Sequence, residues 1–296
     1  MLYCSLRERG TMSKILVTGA TGNVGKYVTE YLLEQDQSVK AAGMHEEKAR
    51  ALFGSGAEYC RFDFGKPETF ENALQDVDRV FIMRPPQMGN PEDFRPFIEV
   101  MKKQNNIKLV VFLSLIGIEK NPAPPHHKIE KMLRESGIPW CFVRPSFFMQ
   151  NLSGIHAFEI KHFNRIVIPA GKALTSFVDA KDIGEMSARI LVEPAGHRNK
   201  AYDLTGPEAL SYKEAAEIMS RELKKEIAYT GISVRAAFSY WTKVRGLEKD
   251  YAMVMCMLYL MTRMGTARTV SEDFEKVMGK KPGSFRDFVR ANRDVW

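Results

Sequence analysis

The sequence predicts an α/β fold: a doubly wound parallel sheet of the Rossmann type, with a smaller, mostly helical C-terminal substrate domain. Three observations predict it. From Lys14 to about Phe148, short apolar runs alternate with helix-period stretches, the signature of parallel strands joined by helical crossovers. A strand that runs straight into three spaced glycines and a helix opens the series. After Asn151 the texture changes, and the last 65 or so residues read mostly as helix.

The expected strands are Ile15–Thr18, Val39–Ala42, Glu58–Phe62, Arg79–Met83, Lys108–Ser114 and Trp140–Arg144. Each is four to seven residues rich in Val, Ile, Leu or Phe, as strands covered on both faces require. The helices between them are Val24–Gln35, Glu46–Phe53, Pro67–Leu74, Pro91–Gln104 and His126–Ser136. Pro67 suits a first helical position, and Gly137 suits a C-terminal cap. In the second half, strands at Arg165–Ile168, Ser176–Val178 and Ala201–Leu204 mix with helices at Lys181–Val192 and Ser211–Leu223. Asp182, at a helix start, reads as a cap or structural hydrogen bonder rather than a catalyst. The expected division is a disordered extension at 1–12, a dinucleotide-binding domain at 13–152 completed by parts of 175–204, and a substrate-covering domain at 153–296. No internal repeat is visible.

Composition narrows the classes. Of 296 residues, 45% are hydrophobic and 27% charged, which is ordinary for a globular chain. No apolar run reaches the roughly 18 residues that span a bilayer. The longest, Tyr251–Met261, reads as a buried helix, so no membrane partner is expected. Residues 1–11 lack the apolar core of a signal peptide. Four scattered cysteines, Cys4, Cys60, Cys141 and Cys256, show no disulfide or zinc spacing and fit a reducing cytosol, so a cytoplasmic protein without a metal site is expected. The net charge of +7 is spread over the chain, and its densest basic patches are pairs such as Lys102–Lys103. That does not suggest nucleic-acid binding, which needs a recognition element as well.

The strongest motif is ILVTGATGNVGKYVTEYLL, residues 15–33. Gly19 allows the tight turn, Gly22 lets backbone N–H groups approach a pyrophosphate, and Gly25 lets helix and strand pack closely. Thr21, Asn23 and Val24 belong to the same cofactor-binding loop, and the following helix start favours an anion. At the end of the second strand, an acid would hold the ribose of NAD, whereas a basic residue would suit NADP. Here the chain reads Ala42-Gly43-Met44-His45-Glu46-Glu47-Lys48. Lys48, Arg50 and Lys40 are basic and near, His45 can hydrogen-bond, and Glu46 is a weak NAD candidate. NADP is favoured, with NAD possible. Asp63 and Phe64, after the third strand, either bracket an adenine or form a loop cap.

These residues carry a resemblance. TGATGNVG, FDFGKPETFENALQDVDRVFIMRPP, KLVVFLSLIG and HKIEKMLRESGIPWCFVRPSFFMQNL, with the ending SEDFEKVMGKKPGSFRDFV, resemble the NmrA-like group of atypical short-chain dehydrogenases/reductases over residues 13–295. The group includes quinone, azo-dye and triphenylmethane-dye reductases and a regulator that binds dinucleotide without turnover. The resemblance implies that Met83, Arg84, Pro85 and Pro86 run beside the cofactor ribose and that Ser114 lies near the nicotinamide. It also implies that Pro145–Phe148, Phe147 among them, wall the nicotinamide and substrate.

The chain departs from the short-chain dehydrogenase pattern in lacking a Tyr-x-x-x-Lys pair, for residues 120–135 contain no Tyr. His126, His127 and Lys128 stand there instead. Ile129, Met132 and Leu133 mark the buried face of that helix. His126 lies at its start and Lys128 points about 200° away from it, so the two cannot face one site. Three alternatives stand: His126 as acid, Lys128 as acid, or no catalytic acid. Loss of the pair favours reduction of activated acceptors over alcohol oxidation. Phe147, Phe148, Met149 and the methionines between Met253 and Met264 offer a lining for a flat, small aromatic substrate, or plain core packing. The expectation is an NAD(P)H-dependent reductase of quinone-like or dye-like acceptors, a monomer or homodimer. The alternative is a dinucleotide sensor without turnover, and a nucleotide-sugar epimerase ranks third because the catalytic Tyr is missing.

Overall fold

The computed structural model describes residues 13–85 and 88–296; the expected extension, with Cys4, and Pro86 lie outside the described residues. The chain begins with β1 (Lys14–Thr18), α1 (Gly25–Glu34), β2 (Val39–Gly43), α2 (Glu46–Phe53), β3 (Glu58–Arg61) and α3 (Phe70–Leu74). It continues through β4 (Val77–Met83), α4 (Arg95–Gln104), β5 (Leu109–Leu113), α5 (Pro125–Glu135) and β6 (Trp140–Pro145). Each observed strand lies within two residues of its expected bounds. The helices expected from Pro67 and Pro91 begin as single 3₁₀ turns, Pro67–Thr69 and Pro91–Phe94, before the α-helical turns take over at Phe70 and Arg95.

The rest comprises α6 (Gln150–Ser153), α7 (Ala157–Phe163), β7 (Arg165–Ile168), β8 (Leu174–Thr175), α8 (Ala180–Val192), β9 (Lys200–Leu204) and β10 (Leu210–Ser211). Then come α9 (Tyr212–Leu223), β11 (Ala228–Gly231), α10 (Val234–Lys243), α11 (Lys249–Arg263), α12 (Asp273–Met278) and α13 (Phe285–Ala291). The main sheet has seven strands in the order β3-β2-β1-β4-β5-β6-β9. β1 pairs parallel with both β2 and β4, so the strand order reverses at β1, where doubly wound sheets open a crevice at their carboxyl ends. Ile15, Leu16 and Val17 are fully buried, as a central strand covered on both faces must be.

The chain divides into two compact units. The first holds 13–114, Asn121–Phe142 and Ser187–Ala201; the second holds Leu115–Lys120, Val143–Met186 and Tyr202–Trp296. The first thus ends before the expected 152, because Met149 and Leu152 pack into the core of the second. The first unit's core joins sheet residues such as Leu16, Val80, Val110 and Phe112 to Phe70, Phe97 and Ile129 of the helices. The second centres on Tyr212, Trp241, Tyr259 and Phe285.

Two expectations change. The strand expected at Ser176–Val178 lies earlier, at β8, which pairs antiparallel with β10. Ser176 sends both its N–H (2.8 Å) and its hydroxyl (3.0 Å) to the Ala267 carbonyl, so it is withdrawn from a ladder. The run Tyr251–Met261 is not a buried helix. α11 buries Ala252, Met255, Cys256 and Tyr259 but exposes Met253, Met257 and Leu260, followed by Met264; apolar on all sides, it has one core to face and leaves a stripe outside.

Asp182 is a structural bonder, its carboxylate accepting the Gly283 N–H at 2.8 Å. Cys60, Cys141 and Cys256 are buried free thiols. No helix among the described residues is long and apolar enough to cross a membrane.

Candidate functional site

The glycine loop joins β1 to α1, and each glycine answers a separate demand. Gly19 has φ +63°, and a Cβ there would lie 2.6 Å from Met83 Sδ. Gly22 donates its N–H to the Gly19 carbonyl (2.9 Å) and is only tightly spaced. A Cβ at Gly25 would lie 2.1 Å from the Gly19 carbonyl oxygen and 2.7 Å from its carbon; this is backbone against backbone and cannot relax. The residue ahead of α1, Val24, is buried and gives no side-chain cap, and the first turn of α1 holds no acid. Thr21 is half-buried and Asn23 exposed. The first amides of a ten-residue helix thus stand without a side-chain acceptor beside a loop held close by glycines, and such a terminus binds anions.

Beyond β2, His45, Lys48 and Arg50 are exposed. Arg50 is held by Glu46 through two bonds of 2.6 and 2.8 Å. Lys40, counted among the nearby basic residues, is buried in the structure. Its Nζ donates to the carbonyls of Asn72 (2.9 Å) and Gln75 (2.8 Å) at the end of α3, so it caps a helix and reads no phosphate. Arg61, which the sequence did not single out, is exposed and registers with Gly43 across β2 and β3.

The Asp63 carboxylate accepts the Gly65 N–H at 2.9 Å, the loop-cap alternative. Phe64 is buried among Phe62, Phe94 and Phe97, with ring centroids 4.5–5.6 Å away; its ring is committed to the core, where it cannot bracket an adenine.

At the end of β4, the Met83 N–H donates to Thr18 Oγ1 (3.1 Å), and the Met83 side chain lies over Gly19. Arg84 donates to the carbonyls of Pro85 and Met88. Its guanidinium also acts on His126. The His126 ring stacks on Phe112 at 5.9 Å, and its Nδ1 is buried without a hydrogen-bond partner. Burial first, and the Arg84 charge second, push its pKa down to about 3. His126 is therefore neutral near pH 7, which counts against the alternative that has it as the acid. Lys128 is exposed on the outer side of α5.

Ser114, one residue past β5, is buried and donates its hydroxyl to Glu130 Oε1 at 2.6 Å. Glu130 is buried too, and its other oxygen accepts from Arg134 at 3.0 Å. Sequence reasoning missed Glu130. The signal was present: a carboxylate one turn after His126, inside the buried stripe of Ile129, Met132 and Leu133. A buried charge is costly unless paired.

The structure therefore brings together Gly19, Gly22, Gly25 and Met83, then Arg84 with His126, and Ser114 with Glu130. Pro145 and Phe147 belong to the second unit, where Phe147 lies 5.7 Å from Tyr259 and accepts the Val178 N–H through its carbonyl. Among the described residues, no group of three or more His, Cys, Asp or Glu could hold a metal ion.

The model of the NmrA-like family matches residues 11–282. The chain belongs to the NmrA-like family. Among its relatives, the NAD(P)H azoreductase of Xenophilus azovorans is 31% identical, over 94% of this chain and 97% of that protein. Prestalk A differentiation protein A of Dictyostelium discoideum is 30% identical, over 95% of this chain and 92% of that protein. An NADPH-dependent quinone oxidoreductase from Escherichia coli, solved with NADPH, has the same fold with a TM-score of 0.84 at 24% identity, covering 94% of this chain and 99% of that one.

Proposed function

We propose that this NmrA-like chain is an NAD(P)H-dependent reductase of flat aromatic acceptors, quinone-like or dye-like, with NADP(H) as the favoured cofactor. The glycine cradle carries the proposal: at Gly25 even a methyl group would strike the Gly19 carbonyl at 2.1 Å. A turn packed that closely beneath an uncapped helix start fits a pyrophosphate. Gly19, Thr21, Gly22, Asn23, Val24 and Gly25 would hold it, and Met83, Arg84 and Pro85 would flank the adjoining ribose. The name of the azoreductase relative supports the reaction class. The absence of an acid at the end of β2, together with exposed Lys48 and Arg61, supports NADP over NAD.

The bound dinucleotide supplies hydride to the acceptor. The protein's part is then positional and electrostatic. His126, neutral at pH 7, donates a hydrogen bond instead of a proton, and the nearby positive Arg84 favours negative charge gathering on an acceptor oxygen. The Ser114 hydroxyl is already engaged as a hydrogen-bond donor to Glu130, and Lys128 faces outward, so the last proton of a hydroquinone comes from water. Such an acid-poor arrangement is adequate for acceptors that protonate readily once reduced.

The test is oxidation of NADPH and NADH by purified protein with a panel of quinones, azo dyes and triphenylmethane dyes. Acceptor-dependent consumption is expected; binding with no consumption across the panel would overturn the reductase reading. The same lack of a protonated acid favours a second reading, a dinucleotide sensor. A sensor must bind reduced and oxidised forms with different affinity, and equal affinity by calorimetry removes it. Three buried free thiols support a reducing, cytoplasmic setting. The assembly proposed is a monomer or homodimer, which sedimentation decides.

A further inference from the structure

Ser114 and Glu130 form a pair whose chemistry has a direction. A carboxylate held by a guanidinium only accepts hydrogen bonds. Arg134 donates to one oxygen of Glu130 at 3.0 Å, and the Ser114 hydroxyl donates to the other at 2.6 Å. Arg134 is itself fixed, its guanidinium lying 5.1 Å from the Trp140 ring and 5.0 Å from the Phe142 ring. The single hydroxyl proton of Ser114 is thus consumed inside the protein, and what remains on its oxygen is lone pairs. Ser114 lies immediately past the carboxyl end of β5, on the side of the β1 reversal opposite β2 and β3. In a doubly wound sheet each side of that reversal receives one mononucleotide half. With the 2′ end of the cofactor assigned to β2, the β4–β5 side receives the other base.

We infer that Glu130 is a positioning residue that turns Ser114 into a hydrogen-bond acceptor for the carboxamide N–H₂ of the nicotinamide, so that this site selects the amide on the ring. The inference rests on the dinucleotide reading above. It also gives a reason for a charged side chain on the buried face of α5, where Leu or Met would pack without desolvation cost.

The test uses equilibrium binding, not turnover. Calorimetry compares NADP with its 3-acetylpyridine analogue, in which a methyl ketone replaces the amide and the N–H₂ is gone. Wild type binds NADP at least about fivefold more tightly, since a buried acceptor left unpaired is penalised. Ser114→Ala binds the two within about twofold. Glu130→Gln keeps the shape, but Arg134 claims the amide carbonyl; the Gln N–H₂ then faces Ser114 and turns its hydroxyl outward as a donor. Both ligands carry a carbonyl, so the preference falls within about twofold there as well. A merely structural role for Glu130 would weaken both ligands in parallel and leave their ratio unchanged; that result overturns the inference. So does a wild-type ratio within twofold, or a ratio that survives in Ser114→Ala. If wild type binds neither ligand, nor NAD, the dinucleotide reading itself fails.

Discussion

At the residue scale, the glycines separate by mechanism. Gly25→Ala sets Cβ 2.1 Å from a backbone carbonyl oxygen, and the loop must move. Dinucleotide binding falls by at least about 100-fold in calorimetry, on the view that misplaced loop amides lose several charge-assisted bonds together. Gly22→Ala meets its nearest atom at 3.1 Å and loses less. The order Gly25 over Gly22 is the checkable point. His126 gives a pH prediction. With a pKa of about 3, it does not titrate between about pH 5 and 8. His126→Ala lowers kcat by about tenfold or more, as removal of a hydrogen-bond donor does, without adding or removing an inflection in that range; an inflection near the ordinary 6.5 of histidine that vanishes in the variant would contradict the neutral-donor role. The glycines were legible because their demand is local and stereochemical. Lys40 and Phe64 were not, because a basic residue near a site and a basic residue capping a helix look alike until burial is known.

At the element scale, alternation of apolar runs with helix-period segments located all six strands of the Rossmann half, since parallel strands buried on both faces leave an unmistakable composition. The second half was harder to read. Its strands are short, and Ser176 spends its backbone and side-chain donors on one carbonyl, a contact across 91 residues that no local pattern encodes. α11 was misread because an apolar run states only that burial is favourable, not that there is a core on every side. Lys40 tests the element scale directly. Its ammonium satisfies two carbonyls at the end of α3. Lys40→Met leaves both without a donor, at about 1–3 kcal/mol, and lowers the melting temperature by several degrees. An unchanged melting temperature would show that the cap is dispensable.

At the scale of the whole molecule, buried titrating groups set how stability depends on pH. His126 and His156 are both held at about 3, chiefly by burial. Unfolded, each returns to the 6.5 of ordinary histidine, so between about 6.5 and 3 the unfolded chain binds more protons and stability rises with pH. Asp182 works in the opposite sense. Burial raises it from 3.8 to about 6, so between those values the folded chain holds the extra proton and this contribution is lost as pH rises. Two histidines outweigh one aspartate, and stability falls as pH drops from about 6.5 to 4. Asp182→Asn keeps an acceptor for the Gly283 N–H and removes the opposing group, which steepens that fall in denaturation midpoints measured across the range. A shallower slope in the variant would contradict the assignment.

The most direct test of the central claim is quinone-dependent loss of NADPH absorbance, followed for wild type and Gly25→Ala side by side. The account predicts turnover in wild type and its loss in Gly25→Ala at concentrations where wild type is saturated. NADPH that binds wild type tightly yet is consumed by no quinone, azo dye or triphenylmethane dye would contradict it and leave the sensor reading in its place.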